Sequence, residues 1–274
     1  ALSMLPPGRF LMPGDLDGSP ALTFAPLDLS GDGSGSRSSL SEMMERRYEA
    51  YRNLVVRPFF RNHFARLDRQ IVLVDMLAAL NAGPAALSDL ETALADVLSC
   101  FRTGERGWMP NIVSRRIDRI LFAATKADHV HRGDHDNLAA LLRRLIDNAA
   151  RRAAYSGARV RVMPIAAVRA TREVEVTRKG RQLPAIAGIP EKGQHMAGET
   201  YDGETEIALF PGDLPDDPDS IFQHRDKPDN DQLALRYLRF RPPALERTAE
   251  GLTLSLPHIR LDQALDYLIG DRLR

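Results

Sequence analysis

The stretch that decides the fold is Ile117 to Val130, IDRILFAATKADHV. Ile120, Leu121, Phe122, Ala123 and Ala124 form a short, nearly continuous apolar run, as expected of a strand buried on both faces. The run ends in Thr125-Lys126-Ala127-Asp128, a compact polar set where such a strand leaves its sheet. After a short His/Gly/Asp loop, a long amphipathic helix begins near Asp136. Parallel α/β sheets place ligands at this position, outside the carboxyl ends of their strands.

Two other stretches repeat the pattern. Ile71-Val72-Leu73-Val74 is rich in β-branched residues and is followed by Asp75, an acid that can touch a ligand or metal or cap a turn. Val160 to Ile165 reads as a third strand, followed by Ala166-Ala167-Val168-Arg169-Ala170-Thr171. Between them lie helical spacings, Leu87 to Phe101 and the run from Asp136 or Asn137 through Leu138, Leu141, Leu142, Leu145, Ile146 and Ala149 to a stop at Gly157. Strands alternating with helices predict an α/β fold with a parallel sheet and right-handed crossovers.

Working outward, residues 1–38 are rich in Pro, Gly, Asp and Ser and read as an irregular connector. Their Gly31-Asp32-Gly33-Ser34-Gly35-Ser36 lacks the GK[ST] ending and preceding strand of a phosphate loop. Ser39 with Glu42 forms a capping-box pattern for a helix from Leu40 to about Val56, with Pro58 expected to break or kink it. Phe59, Phe60 and Phe64 give bulk to a second short helix, and residues 39–171 form the α/β core. The loop Arg102 to Pro110 holds the only tryptophan, either a mobile element or a packing residue. From Arg172 the pattern changes to alternation, predicting an antiparallel β insert over 172–260 with strands at 206–210, 233–240 and 252–256. A last helix over 261–274 packs back on the core, its apolar side formed by Leu265, Leu268 and Ile269.

Composition narrows the function classes. The chain has 274 residues, 43% of them hydrophobic, and its 37 Lys+Arg balance 37 Asp+Glu, so the overall balance suggests neither a nucleic-acid groove nor a membrane patch. The single cysteine, Cys100, allows no intramolecular disulfide and points to a reducing, cytoplasmic setting. No signal peptide is evident, and no apolar run reaches the roughly 18–20 residues of a membrane span. The chain opens Ala-Leu-Ser-Met without an initiator methionine and is expected to be a portion of a longer protein.

The chemistry concentrates at the strand ends. A carboxylate such as Asp128 can accept hydrogen bonds from both the ring N1–H and the exocyclic amine of guanine, a charge-assisted bidentate contact. Adenine presents an acceptor at N1 and lacks that amine, so it is discriminated against by about 1–3 kcal/mol or more. The Lys126 stem can cover the base face while its ammonium stays wet. A tight Ala-Ala turn on the next strand lets backbone N–H groups approach the guanine carbonyl. His129, His131 and His135 cluster nearby, but read as exposed loop histidines, and no metal site is assigned.

Four segments then resemble the YcjX-like stress-protein family of P-loop GTPases: PPGRFLMPGDLDGSPALTFAPL (6–27), RYEAYRNLVVRPFFRNHFARLDRQIVLVDMLAALNAG (47–83), IDRILFAATKADHV (117–130) and PIAAVRAT (164–171). The resemblance covers nearly the whole chain. It implies a partial Ras-like sheet, with Thr125, Lys126 and Asp128 as the guanine-specificity motif usually written NKxD. Ala166, Ala167 and Val168 take the place of the second base-contacting loop, often Ser-Ala-Lys. Thr125 replaces a longer carboxamide, and Val168 replaces a lysine that would brace the site.

GTP or GDP is the implied ligand. No GxxxxGK[ST] loop occurs in these residues, nor an acidic DxxG segment that could manage Mg²⁺ and the γ-phosphate. Phosphoryl transfer rests on the phosphate cradle, its lysine and the metal. Mg²⁺ and hydrolysis are therefore expected only with a segment upstream of this chain, which alone holds no catalytic residue. The alternative is a non-catalytic module that binds a protein partner and carries a degenerate nucleotide site. A third reading is a small-molecule kinase with a related core.

Overall fold

The computed structural model describes residues 39–62, 67–99, 117–155, 157–178, 180–223, 237–244, 247–248, 251–252 and 256–273. Residues 1–38, the loop 102–110, Phe64, and the side chains of Phe59 and Phe60 lie outside that description. The chain divides into two compact units, 1–67 with 113–115, and 68–112 with 116–274.

In the first unit, α1 (Ser39–Tyr51) runs through a π turn (Arg52–Val56) into α2 (Arg57–Asn62). The expected break at Pro58 does not occur. The Arg57 amide reaches back to the Arg52 carbonyl, and this wider turn carries the backbone past the proline ring, which falls in the first turn of α2.

The second unit begins with β1 (Arg69–Val74), α3 (Met76–Ala82) and α4 (Pro84–Ser99). Then come β2 (Arg119–Ala124), α5 (His135–Leu145), α6 (Asp147–Tyr155) and β3 (Arg159–Pro164). The three strands form one parallel sheet in the order β1-β2-β3, in register at Arg69, Arg119 and Arg159. With its flanking helices, this is the α/β architecture expected of a partial P-loop GTPase-like core. Alternation along each strand divides the residues between faces. Val72, Val74, Ile120, Phe122 and Ala124 join the larger core with Met76, Leu80 and the Leu138, Leu141, Leu142 and Leu145 stripe of α5. Leu121, Ala123, Met163 and Ile165 point to the other side. Both faces of β2 are thus filled, which is why its sequence is continuously apolar.

After β3 the chain turns antiparallel. The strands β4 (Arg172–Arg178), β5 (Arg181–Gly188), β6 (His195–Met196), β7 (Glu199–Thr200) and β8 (Ile207–Leu209) precede a short α7 (Asp219–Gln223). β4, β5 and β8 form one sheet, with β5 central, and β6 pairs with β7. Pro184 is tolerated inside β5 because β8 pairs only with Ile186, Ala187 and Gly188, leaving that edge free at the proline. A small ladder follows, β9 (Arg247–Thr248) against β10 (Gly251–Leu252).

The strand expected at 233–240 is not a strand where it is described. Tyr237, Leu238 and Arg239 are irregular, and Phe240 makes one isolated bridge to Pro190. The Glu191 and Arg241 amides donate across to the Arg239 and Ile189 carbonyls (2.8 Å each), but the Arg239 amide is taken by the Gln194 side chain (3.1 Å), so no regular ladder extends from the bridge.

The chain then reaches α8 (Leu261–Ile269). Its buried side differs from expectation: Ala264 and Leu268 cover the sheet, whereas Leu265 and Ile269 are exposed. Arginines at the strand starts fix this seating. Arg69 donates to the Leu268 carbonyl (2.5 Å) and the Asp271 carboxylate (2.5 and 2.7 Å), and Arg119 donates to the Tyr267 carbonyl (2.5 Å). Among the described residues, no helix is long and apolar enough to cross a membrane.

Candidate functional site at the carboxyl end of the parallel sheet

The loop leaving β2 is pinned to both neighbouring strands. The Thr125 amide and hydroxyl both donate to the Val74 carbonyl of β1, at 2.9 and 3.3 Å. Two residues on, the Ala127 amide donates to the Ile165 carbonyl just past β3 (3.1 Å). Lys126, held between them, adopts the left-handed conformation with φ 60° and ψ 36°. For a residue with a Cβ that conformation costs about 1–2 kcal/mol, so the surrounding bonds must over-determine it.

A single 3₁₀ turn, Ala127–His129, then draws Asp128 inward to 4% exposure. Its Oδ2 accepts from the Ala170 amide at 2.8 Å, and its main-chain carbonyl accepts from the buried Thr171 hydroxyl. The loops after β2 and β3 therefore meet at Asp128. Ala166 is buried and engaged: its amide donates to the Ile259 carbonyl (3.1 Å), and the Ile259 amide donates back (2.8 Å). Ala167 is exposed and Val168 is half-buried. Nearby, the Arg169 amide donates to the Pro257 carbonyl (2.7 Å), so residues 257–259 brace the second loop from behind.

Lys126 does not turn toward Asp128. Its ammonium pairs with Asp75 Oδ2 at 2.6 Å and donates to the Tyr237 hydroxyl, 5.1 Å from the centre of that ring. Burial disfavours its charge, but the bonds to Asp75 and Tyr237 outweigh this and hold its pKa above the usual lysine value. Asp75 also accepts from the Ala78 amide through Oδ1 (3.1 Å), capping α3. Of the two sequence readings of that acid, the structure shows the cap, and the other carboxylate oxygen is taken by Lys126.

Two of the three loop histidines differ from expectation. His129 and His135 are buried at 9% and 6% exposure. His135 Nε2 lies 2.9 Å from the Ala127 carbonyl, which requires a protonated Nε2. His129 packs against Tyr237 (ring centres 5.5 Å apart) and edge-on to Phe240 (5.3 Å). Burial lowers the pKa of both rings, opposed at His129 by Asp128 and at His135 by the Ala127 carbonyl. His131 stays near the surface and accepts from the Gly133 amide. No group of three His, Cys, Asp or Glu suited to a metal occurs among the described residues.

Sequence reasoning missed Ala170 and Thr171 as partners of Asp128, although both were quoted with the second loop. It missed Tyr237 entirely. That residue reaches the site from 111 positions beyond Lys126, and only its place in the alternating Tyr237-Leu238-Arg239-Phe240 run marked it at all.

A parallel sheet with flanking helices and TKAD at the end of its central strand defines the class as an α/β fold of the P-loop GTPase-like kind, present in part. The chain belongs to the YcjX-like family, DUF463, which matches residues 1–273. It is 37% identical over 280 residues to the Escherichia coli K12 protein named Ras-like GTPase YcjX, covering 100% of this chain and 56% of that protein. It is 33% identical over 274 residues to a Shewanella oneidensis MR-1 protein of the same name, covering 97% of this chain and 53% of the relative. The chain thus spans about half the length of these curated relatives.

Proposed function

We propose that this chain forms the guanine-recognition half of a nucleotide site, completed by a phosphate-binding segment outside these residues. The observation that carries the reading is Asp128, fixed where the loops after two adjacent parallel strands meet. Both relatives are named Ras-like GTPases, which supports a GTPase-related role for the intact protein. Asp128 would accept from the guanine N1–H and exocyclic amine. Thr125 would hold the loop to β1, and the Lys126 stem would flank the base. With Ala166 engaged to Ile259, the Ala167 and Val168 amides are the ones left to address the guanine carbonyl.

The fit to GTP or GDP extends only to the base. The sequence carries no GxxxxGK[ST] phosphate loop, so hydrolysis is assigned to the intact protein. The accompanying domain reading keeps 39–171 as the core, 172–260 as an antiparallel insert and 261–274 as the closing helix.

A second reading has its own support. Asp128 is already bonded to Ala170 and almost fully buried, as a structural turn in a protein-interaction module with a degenerate site would be. Competition of GDP and ADP against a fluorescent guanine nucleotide, on the full gene product, separates the two. Guanine recognition predicts displacement by GDP and little by ADP. Equal displacement, or no binding, supports the interaction module.

A further inference from the structure

We infer that Asp75 is a specificity-determining residue that keeps Lys126 from neutralising Asp128, an inference that rests on the guanine reading above. Lys126 and Asp128 are two residues apart on one tight turn. Left to themselves, an ammonium and a carboxylate so placed would pair, and the carboxylate would no longer be available to a base. The structure contains a competing acceptor set. Asp75 takes the ammonium at 2.6 Å, and the Tyr237 hydroxyl accepts a second hydrogen bond from the same nitrogen. Asp128 instead receives its donor from the Ala170 backbone, at 2.8 Å, which supplies no neutralising charge.

The arrangement also explains why an acid stands at position 75. Capping α3 requires only an oxygen acceptor for the Ala78 amide, which Asn or Ser would supply equally well. A negative charge is needed for the second oxygen, which faces Lys126. The left-handed backbone of Lys126 starts the side chain from a fixed direction between two pinned neighbours. Tyr237, seated against His129, limits how far the ammonium can move.

The test is Asp75→Asn in the full gene product, because asparagine keeps the cap and the size and removes only the charge. The readout is the ratio of GDP to IDP affinity. IDP lacks the exocyclic amine that Asp128 would bind, so the ratio reports the carboxylate rather than general integrity. The expected result is a ratio reduced by roughly tenfold at an unchanged melting temperature, the size of one lost charge-assisted contact. Asp75→Glu, which restores the charge, should recover part of it.

A wild-type preference for GDP over IDP that survives intact in Asp75→Asn would overturn the role of Asp75 and leave the guanine reading standing. A wild type with no preference would overturn the guanine reading and this inference with it.

Discussion

Asp128 Oδ2 accepts the Ala170 amide at 2.8 Å, so the carboxylate of one strand-end loop is fixed by the backbone of the next. Asp128→Ala leaves that amide with no acceptor in a site that is nearly closed to water. The expected loss is about 1–3 kcal/mol of stability, read by urea unfolding. Asp128→Asn retains an oxygen acceptor and should lose less. Equal stability of the alanine variant and the wild type would contradict the bond.

Thr171 closes the same junction through its hydroxyl, which donates to the Asp128 carbonyl. Thr171→Val keeps the shape and leaves a buried carbonyl unpaired. Unfolding should show a cost of about 1–2 kcal/mol, against nearly none for a polar substitution on an exposed turn.

Gly188 couples the antiparallel sheet to the site. A Cβ there would lie 2.8 Å from Phe240 Cδ1 and 3.1 Å from the Ala170 carbonyl, and Phe240 is the ring set edge-on to His129. Gly188→Ala therefore displaces Phe240, with an expected destabilisation of about 1–3 kcal/mol. Aromatic-region NMR should show shifted Phe240 and His129 signals, and unshifted signals would show that the ring does not move.

The buried histidines give the stability a pH dependence. Burial holds His129 and His135 below the ordinary imidazole value. Unfolded, both titrate near about 6.5, so at lower pH the unfolded chain binds more protons and stability falls. The melting temperature should be steady above about pH 7 and decline below about pH 6.5. Asp134 is raised by burial and works in the opposite sense, but only at carboxylate pH. His135→Gln keeps a donor for the Ala127 carbonyl and should flatten part of the decline. An unchanged profile would contradict the assignment.

Much of this architecture was legible because β2 states its environment in its composition. Five consecutive apolar residues satisfy two filled faces, and the change to Thr125-Lys126-Ala127-Asp128 marks where filling stops. What sequence could not supply was set at long range. The π turn before Pro58 depends on backbone bonds available only after the helix has formed. Pro184 concealed β5, because its tolerance depends on how far β8 extends. The apolar stripe of α8 gave three residues, but arginines on β1 and β2 decided which of them face the sheet. At the site, the motif gave Lys126 and Asp128, whereas the partners that orient them come from β1, from the second loop and from Tyr237.

The central claim is that Asp128 reads a guanine base. The most direct measurement is the GDP dissociation constant of the full gene product and of its Asp128→Ala variant, each compared with ADP. The account predicts a clear preference for GDP in the wild type that collapses in the variant, by about 1–3 kcal/mol of discrimination. An unchanged preference in Asp128→Ala, or none in the wild type, would contradict it.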